Sequence, residues 1–303
     1  MNDIGTFLER LRKAIGMKRE DFINDIIDLR HYQRFVNGES TPYLDDFIKI
    51  ITNTNLSIND VINIFLDDVV LERKMTTKLY NTAIRAEFKI FQEIKASINI
   101  GGIMEKKNML LYEYSLLIHD HKKKIIHDIH YLTSLKKLIN YPEILNNQLL
   151  SLYELMILGD ILYYVPVSEQ KSIVYKITTS FENLVNQIND LERNDKLLHL
   201  MGKIANYLGS KGDYSGSIKI CNQGIELSLK YEEFYLLDYF YYYLALGYHN
   251  LNKLDQRNQS VVDCYLVLLS KKNHVLTNKF LGWFENDFDI TDIQSLVSDT
   301  FKT

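Results

Sequence analysis

Apolar residues return at three- and four-residue intervals along almost the whole chain, the period of an amphipathic α-helix. No segment alternates apolar and polar long enough to make a strand, so the pattern predicts an all-α protein. The first part is a run of short, punctuated helices. Ile4, Phe7, Leu8, Leu11 and Ile15 predict a helix over 4–15, closed by Gly16. A second over 19–26 buries Phe22, Ile23 and Ile26. Asp28 is suited to cap a third over 29–36, which Asn37-Gly38 ends. A fourth takes Thr41 as its cap and Pro42 at its first position, with Leu44, Phe47, Ile48 and Ile51 apolar. A fifth starts at Ser57, with Asp60 three residues on, and buries Val61, Ile62 and Phe65.

From residue 67 the pattern is helix after helix, and part of it repeats. Residues 200–230 predict two antiparallel helices joined at Lys211-Gly212-Asp213-Tyr214. With Ala205 at the small position and Tyr214, Ser217 and Gly224 at matching offsets, this unit resembles a tetratricopeptide repeat. A second unit covers 239–269, with Leu246-Gly247 and Leu251 in the corresponding places. Leu158-Gly159 and Tyr163 are an earlier echo, and Pro142 and Pro166 mark helix starts. Segment 68–140 is helical without a readable phase, broken at Gly101-Gly102. After Asp292, the residues Ile293, Leu296, Val297 and Phe301 predict a terminal capping helix. Stacked helix pairs form a concave surface lined by the first helix of each pair. Phasing on Ala205 and Gly247 sends His199, Gly202, Asn206 and Gly209 to that surface, then Tyr241, Leu244, Tyr248 and Leu251. The weaker echo adds Tyr153, Met156, Asp160 and Tyr163.

Composition agrees with this picture. Only 3 Pro and 13 Gly interrupt 303 residues, and that length suits two domains, 1–66 and 67–303. Cys221 and Cys264 lie in no paired motif and are expected in the core. No apolar run is long enough for a membrane span and the start lacks a signal-peptide pattern, so a cytosolic location is expected. His119, His121, His127 and His130 lie near Asp120 and Asp128, but nothing in their spacing sets three ligands converging, and they are expected on the surface. Lys122–Lys124 is expected to be a solvated face. With no nucleophile elbow, phosphate loop or dinucleotide fingerprint, no enzyme, metal or cofactor is expected.

Five short helices in about sixty-five residues is the layout of a helix-turn-helix domain. The stretch IGTFLERLRKAIGMKREDF, then Tyr32-Gln33-Arg34-Phe35 and Asn37-Gly38-Glu39-Ser40, resembles the Xre-type version found in the Rgg/PrgX/PlcR regulators, cytosolic receptors for peptide pheromones. Lys18 stands where that pattern has a small polar cap, Arg19 where it has Gln, and Val36 where it has an acid. The third helix carries Arg30, His31, Gln33 and Arg34, and Arg and Gln suit guanine and adenine edges. Arg12, Lys13, Lys18 and Arg19 suit phosphates. The resemblance implies a homodimer or higher oligomer on double-stranded operator DNA, switched by a short linear signalling peptide in the repeat groove. It points to Asn206 as a holder of the peptide backbone, with His199, Tyr163, Asp160, Tyr241 and Tyr248 around it. Residues 1–66 carry eight Lys and Arg against ten Asp and Glu, which is acidic for a DNA reader. That keeps a second reading open: an adaptor whose groove holds a protein partner and whose helix-turn-helix no longer reads DNA.

Overall fold

The computed structural model describes residues 4–187 and 191–300, and the side chains of all of these except 182–187 and 191–194. Among the described residues there are sixteen α-helices, two short 3-10 turns and no strand. The chain divides into two compact units, Met1–Pro142 and Glu143–Thr303. Phe301 lies outside the described residues.

The first unit opens with α1 (Ile4–Ala14), α2 (Arg19–Ile23), α3 (Leu29–Val36) and α4 (Leu44–Asn53). Their core is Phe7, Leu8, Leu11, Phe22, Ile23, Tyr32, Phe35, Ile50 and Ile51. Helices α1 and α3 approach so closely that a Cβ on Gly5 would sit 2.0 Å from the Phe35 carbonyl oxygen, so only glycine fits there. Helix α2 stops at Ile23, three residues short of the sequence expectation, because Asn24 and Asp25 turn left-handed (φ 40° and 58°). The Asn53 amide donates to the carbonyls of Asp21 and Phe22 at 2.7 and 3.1 Å, satisfying that exposed helix end. Asp28 caps α3, its carboxylate accepting from the His31 backbone N–H at 2.7 Å.

Helix α4 corrects the expected Thr41–Pro42 start. Its first carbonyl acceptor is Tyr43, bonded to the Phe47 N–H at 3.0 Å, and Pro42 stays outside. Leu44 is 74% exposed and Ile62 41%, so neither joins the core. Helix α5 (Ile58–Ile84) is capped by Ser57 and then runs for 27 residues. Residue 66, the expected domain boundary, lies inside it. No Gly or Pro interrupts 58–84. Val61, Phe65 and Val69 pack on the core of α1–α4, while Leu79, Tyr80 and Ala83 are buried farther along. Helices α6 (Phe88–Ser97), α7 (Lys106–Lys122) and α8 (Asp128–Leu138) complete the unit, with α6 and α7 packed on α5.

The histidine cluster is partly internal, against expectation. His119 is 2% exposed, stacked on Phe91 at 4.0 Å and bonded to Asp120 at 2.8 Å. His121 stacks on Tyr131 at 4.3 Å and meets Asp128 at 2.7 Å. Among the described residues no three His, Cys, Asp or Glu gather as metal ligands. Lys122 turns its ammonium onto the Ile84 carbonyl at the end of α5.

The second unit is a stack of helix pairs: α9 (Leu152–Ile161) with α10 (Val167–Gln187), α11 (Leu191–Ser210) with α12 (Tyr214–Lys230) and α13 (Leu237–Asn250) with α14 (Leu254–Lys271), followed by α15 (His274–Phe288) and α16 (Ile293–Thr300), which both pack on α14. Helix α11 packs on α9 and α13 as well as on α12, so the first helices of successive pairs form one layer. The repeat signals have physical counterparts. Ala205 is fully buried, and its carbonyl accepts from the Ser217 hydroxyl at 2.8 Å. A Cβ on Gly224 would lie 2.5 Å from the Phe240 ring, so glycine lets α12 and α13 close up. Asp213 caps α12 through the Gly216 N–H at 2.9 Å. Cys221 and Cys264 are fully buried, and burial pushes the Cys221 thiol up to about 12. The end of the stack is closed by Phe280, Phe284, Phe288 and Ile293 around Tyr242.

Candidate functional sites

The first site is the surface of α2 and α3. A single buried carboxylate organises it. Glu9 on α1 is 6% exposed and accepts four hydrogen bonds. Arg12 gives two at 2.9 Å each, Arg19 one at 2.9 Å and the Tyr32 hydroxyl one at 3.0 Å. The Arg12 bond chiefly, with those of Arg19 and Tyr32, outweighs burial and holds the Glu9 pKa at about 2, so it is anionic across the physiological range. Desolvation and the neighbouring Glu9 charge push the Tyr32 hydroxyl far up, keeping it a neutral donor.

The seven sequence candidates separate around this centre. Arg12 points inward: its side chain is 14% exposed and bonds Glu9 and the Met17 carbonyl. Arg19 is half in the network, its second terminal nitrogen donating to the Gln33 side-chain oxygen at 2.9 Å. The Gln33 amide nitrogen donates to Asn37 at 3.0 Å, and Asn37 donates to Glu39 at 3.0 Å. Arg34, 55% exposed, stands 3.9 Å from the Glu39 carboxylate. Lys18 and Arg30 are exposed, and the His31 ring packs on Phe35 at 4.7 Å. Sequence reasoning missed Glu9. A lone acid beside Phe7, Leu8 and Leu11 carries no mark of burial.

The second site is the face of the layer made by α9, α11 and α13. Asp160 on α9 forms an ion pair with Lys203 on α11. The Tyr163 hydroxyl donates to the Lys203 carbonyl at 3.1 Å. Burial pushes its pKa up, and a side-chain hydrogen bond from Asn206 draws it part of the way back. Tyr163 remains 48% exposed. Asp160, Tyr163 and Asn206 are thus brought together, and His199 lies two turns before Asn206 on α11.

Tyr241 and Tyr248 are not part of this gathering. On α13, Tyr239 and Tyr243 share one face, and residues 241 and 248 lie about half a turn away. Desolvation first, and the Tyr239 and Tyr163 hydroxyls next, raise the Tyr243 pKa. Tyr241 feels Asp263 of α14 instead. Tyr239 continues the aromatic wall, its ring 6.3 Å from both Tyr243 and Trp283. Gly202 and Gly209 are packing positions facing Phe240 and Ser217, and Leu244 is buried. The sequence missed Lys203, Tyr239 and Tyr243. The run Tyr241-Tyr242-Tyr243 carries no phase by itself, and only the neighbours of α13 supply one.

No protein-family model matches the chain, and no curated protein matches it in sequence. Solved structures do match. ComR from S. thermophilus, solved in complex with DNA and its signalling peptide ComS, is 13% identical over 94% of this chain and 99% of its own, with a TM-score of 0.58. Bacillus thuringiensis PlcR in its apo form is 16% identical over 92% and 98%, with a TM-score of 0.56. The competence regulator ComR from Streptococcus vestibularis, with its cognate signaling peptide XIP, is 17% identical over 95% and 99%, with a TM-score of 0.55. At such identities the likeness is one of fold, and over more than nine tenths of its length this chain has the all-α fold of ComR and PlcR.

Proposed function

We propose that the chain is a cytosolic, peptide-responsive transcription regulator that binds operator DNA as a homodimer and carries out no catalytic step. The observation that carries this reading is the presence, in one fold shared with ComR, of an exposed α3 bearing Arg30, Gln33 and Arg34 and of a repeat face gathering Asp160, Tyr163, Lys203 and Asn206. Lys18 meets phosphate, Arg30, Gln33 and Arg34 face the major groove, and Arg12 and Arg19 brace them from behind. In the second unit the Asn206 amide holds the backbone of a short peptide, because it both donates and accepts. The wall of Tyr239, Tyr243 and Trp283 takes its apolar side chains.

The test is retention of genomic DNA fragments by the purified chain at two salt concentrations, with and without short peptides from culture supernatant. The expected result is a few two-fold symmetric sites, weaker binding at higher salt because counterion release then gains less entropy, and a change on adding peptide. No enrichment at either salt concentration overturns the DNA half and leaves the adaptor reading, which the acidic balance of residues 1–66 favours.

A further inference from the structure

The side chains along α3 are not independent. A continuous path of hydrogen bonds leads from the core to its outer face: Glu9 to Arg19, Arg19 to Gln33, Gln33 to Asn37 and Asn37 to Glu39, each contact 2.9–3.0 Å long. The inner end is fixed. Glu9 is also bonded to Arg12 and Tyr32, and Tyr32 is fully buried against Phe22. The outer end is half-exposed.

We propose that Glu9, which is itself too buried to touch DNA, is the positioning residue for base reading by Gln33. This rests on the DNA-reading function proposed above. Arginine suits the middle place because its planar guanidinium spans two acceptors at once, Glu9 through one terminal nitrogen and Gln33 through the other. Lysine offers a point charge and cannot hold both in a fixed fork. The path also fixes which way the Gln33 amide faces: its oxygen lies toward Arg19 and its nitrogen toward Asn37. Each partner uses one lone pair or one hydrogen. One acceptor lone pair and one N–H remain, the combination that the N6 and N7 edge of adenine takes from an amide. Gln33 is therefore assigned to adenine, and Glu9 to keeping its amide in that orientation before DNA arrives.

The experiment uses the full chain and two duplexes, one carrying the site that the wild type selects from a random library and one of scrambled sequence. The wild type is expected to select adenine at one position of each half-site. In E9Q and in R19K the ratio of the two affinities falls about tenfold, within the range of one lost base contact. R19K leaves the Glu9–Arg12–Tyr32 bonds in place, so it reports even where E9Q folds poorly. In a Q33A background, E9Q brings no further fall in the ratio, because the residue it acts through is gone. An unchanged ratio in both E9Q and R19K overturns the proposal, as does an equal fall with and without Gln33, or a parallel loss on both duplexes. A wild type that selects no site overturns the DNA-reading function, and this inference with it.

Discussion

Three helices of the first unit are tied together by one carboxylate, and its titration sets a pH limit. The Glu9 pKa is 4.5 as a free side chain and about 2 in the fold. A depressed pKa contributes stability that is present above the unfolded value and lost as pH falls through the folded one. The window is therefore about pH 4.5 down to 2, and the shift corresponds to about 3 kcal/mol. Denaturant midpoints at about pH 5 and about pH 2.5 should differ more for the wild type than for E9Q. Equal slopes for the two would contradict the assigned role of Glu9. In the second unit, N206A should weaken a captured peptide by about tenfold, the loss of one or two hydrogen bonds, with little change in stability. Y248F should leave peptide affinity unchanged, because Tyr248 lies about half a turn from the Tyr239–Tyr243 face. Titration calorimetry separates these outcomes, and an effect of Y248F as large as that of N206A would place the groove on the wrong face. At this scale the sequence placed Asn206 on one face through the small residue Ala205, and Asp160 and Tyr163 through Gly159, and the structure brings these three side chains together. It hid Glu9 and Tyr243, whose roles come from side chains far along the chain, Arg19 and Tyr32 for one and Tyr163 for the other.

Helix starts were legible where a side chain caps them and not at Thr41–Pro42, where none does. Asp28 and Ser57 cap their helices as expected, since a cap is a local bond within one turn. The end of α2 depends instead on Asn53, thirty residues away in sequence, and the length of α5 on packing at both of its ends. Hydrogen exchange tests the second point. Amides over 58–84 should be protected continuously, fraying only at the termini, whereas rapid exchange near residue 66 would mean that α5 is two helices. Packing between elements gives another test. Gly224→Ala places a methyl against the rigid, fully buried Phe240 ring and should cost about 1–3 kcal/mol, seen as a lower melting temperature. A neutral result would show that α12 and α13 separate easily.

For the whole molecule, the repeat signals disclosed the helix-pair architecture, whereas 68–140 revealed only that it is helical. Its buried residues, such as His119 between Phe88 and Phe91, follow no repeat. No described helix is long and apolar enough to cross a membrane. Under the proposed function, peptide on the second unit alters DNA reading by the first. Coupling between two binding sites is a free energy shared by both, and it must appear equally in each. The most direct measurement is the affinity of the full chain for its selected duplex with and without saturating peptide, together with the affinity for peptide with and without the duplex. Both should change by the same factor, between about 5- and 150-fold. Two tight affinities that ignore each other would contradict it.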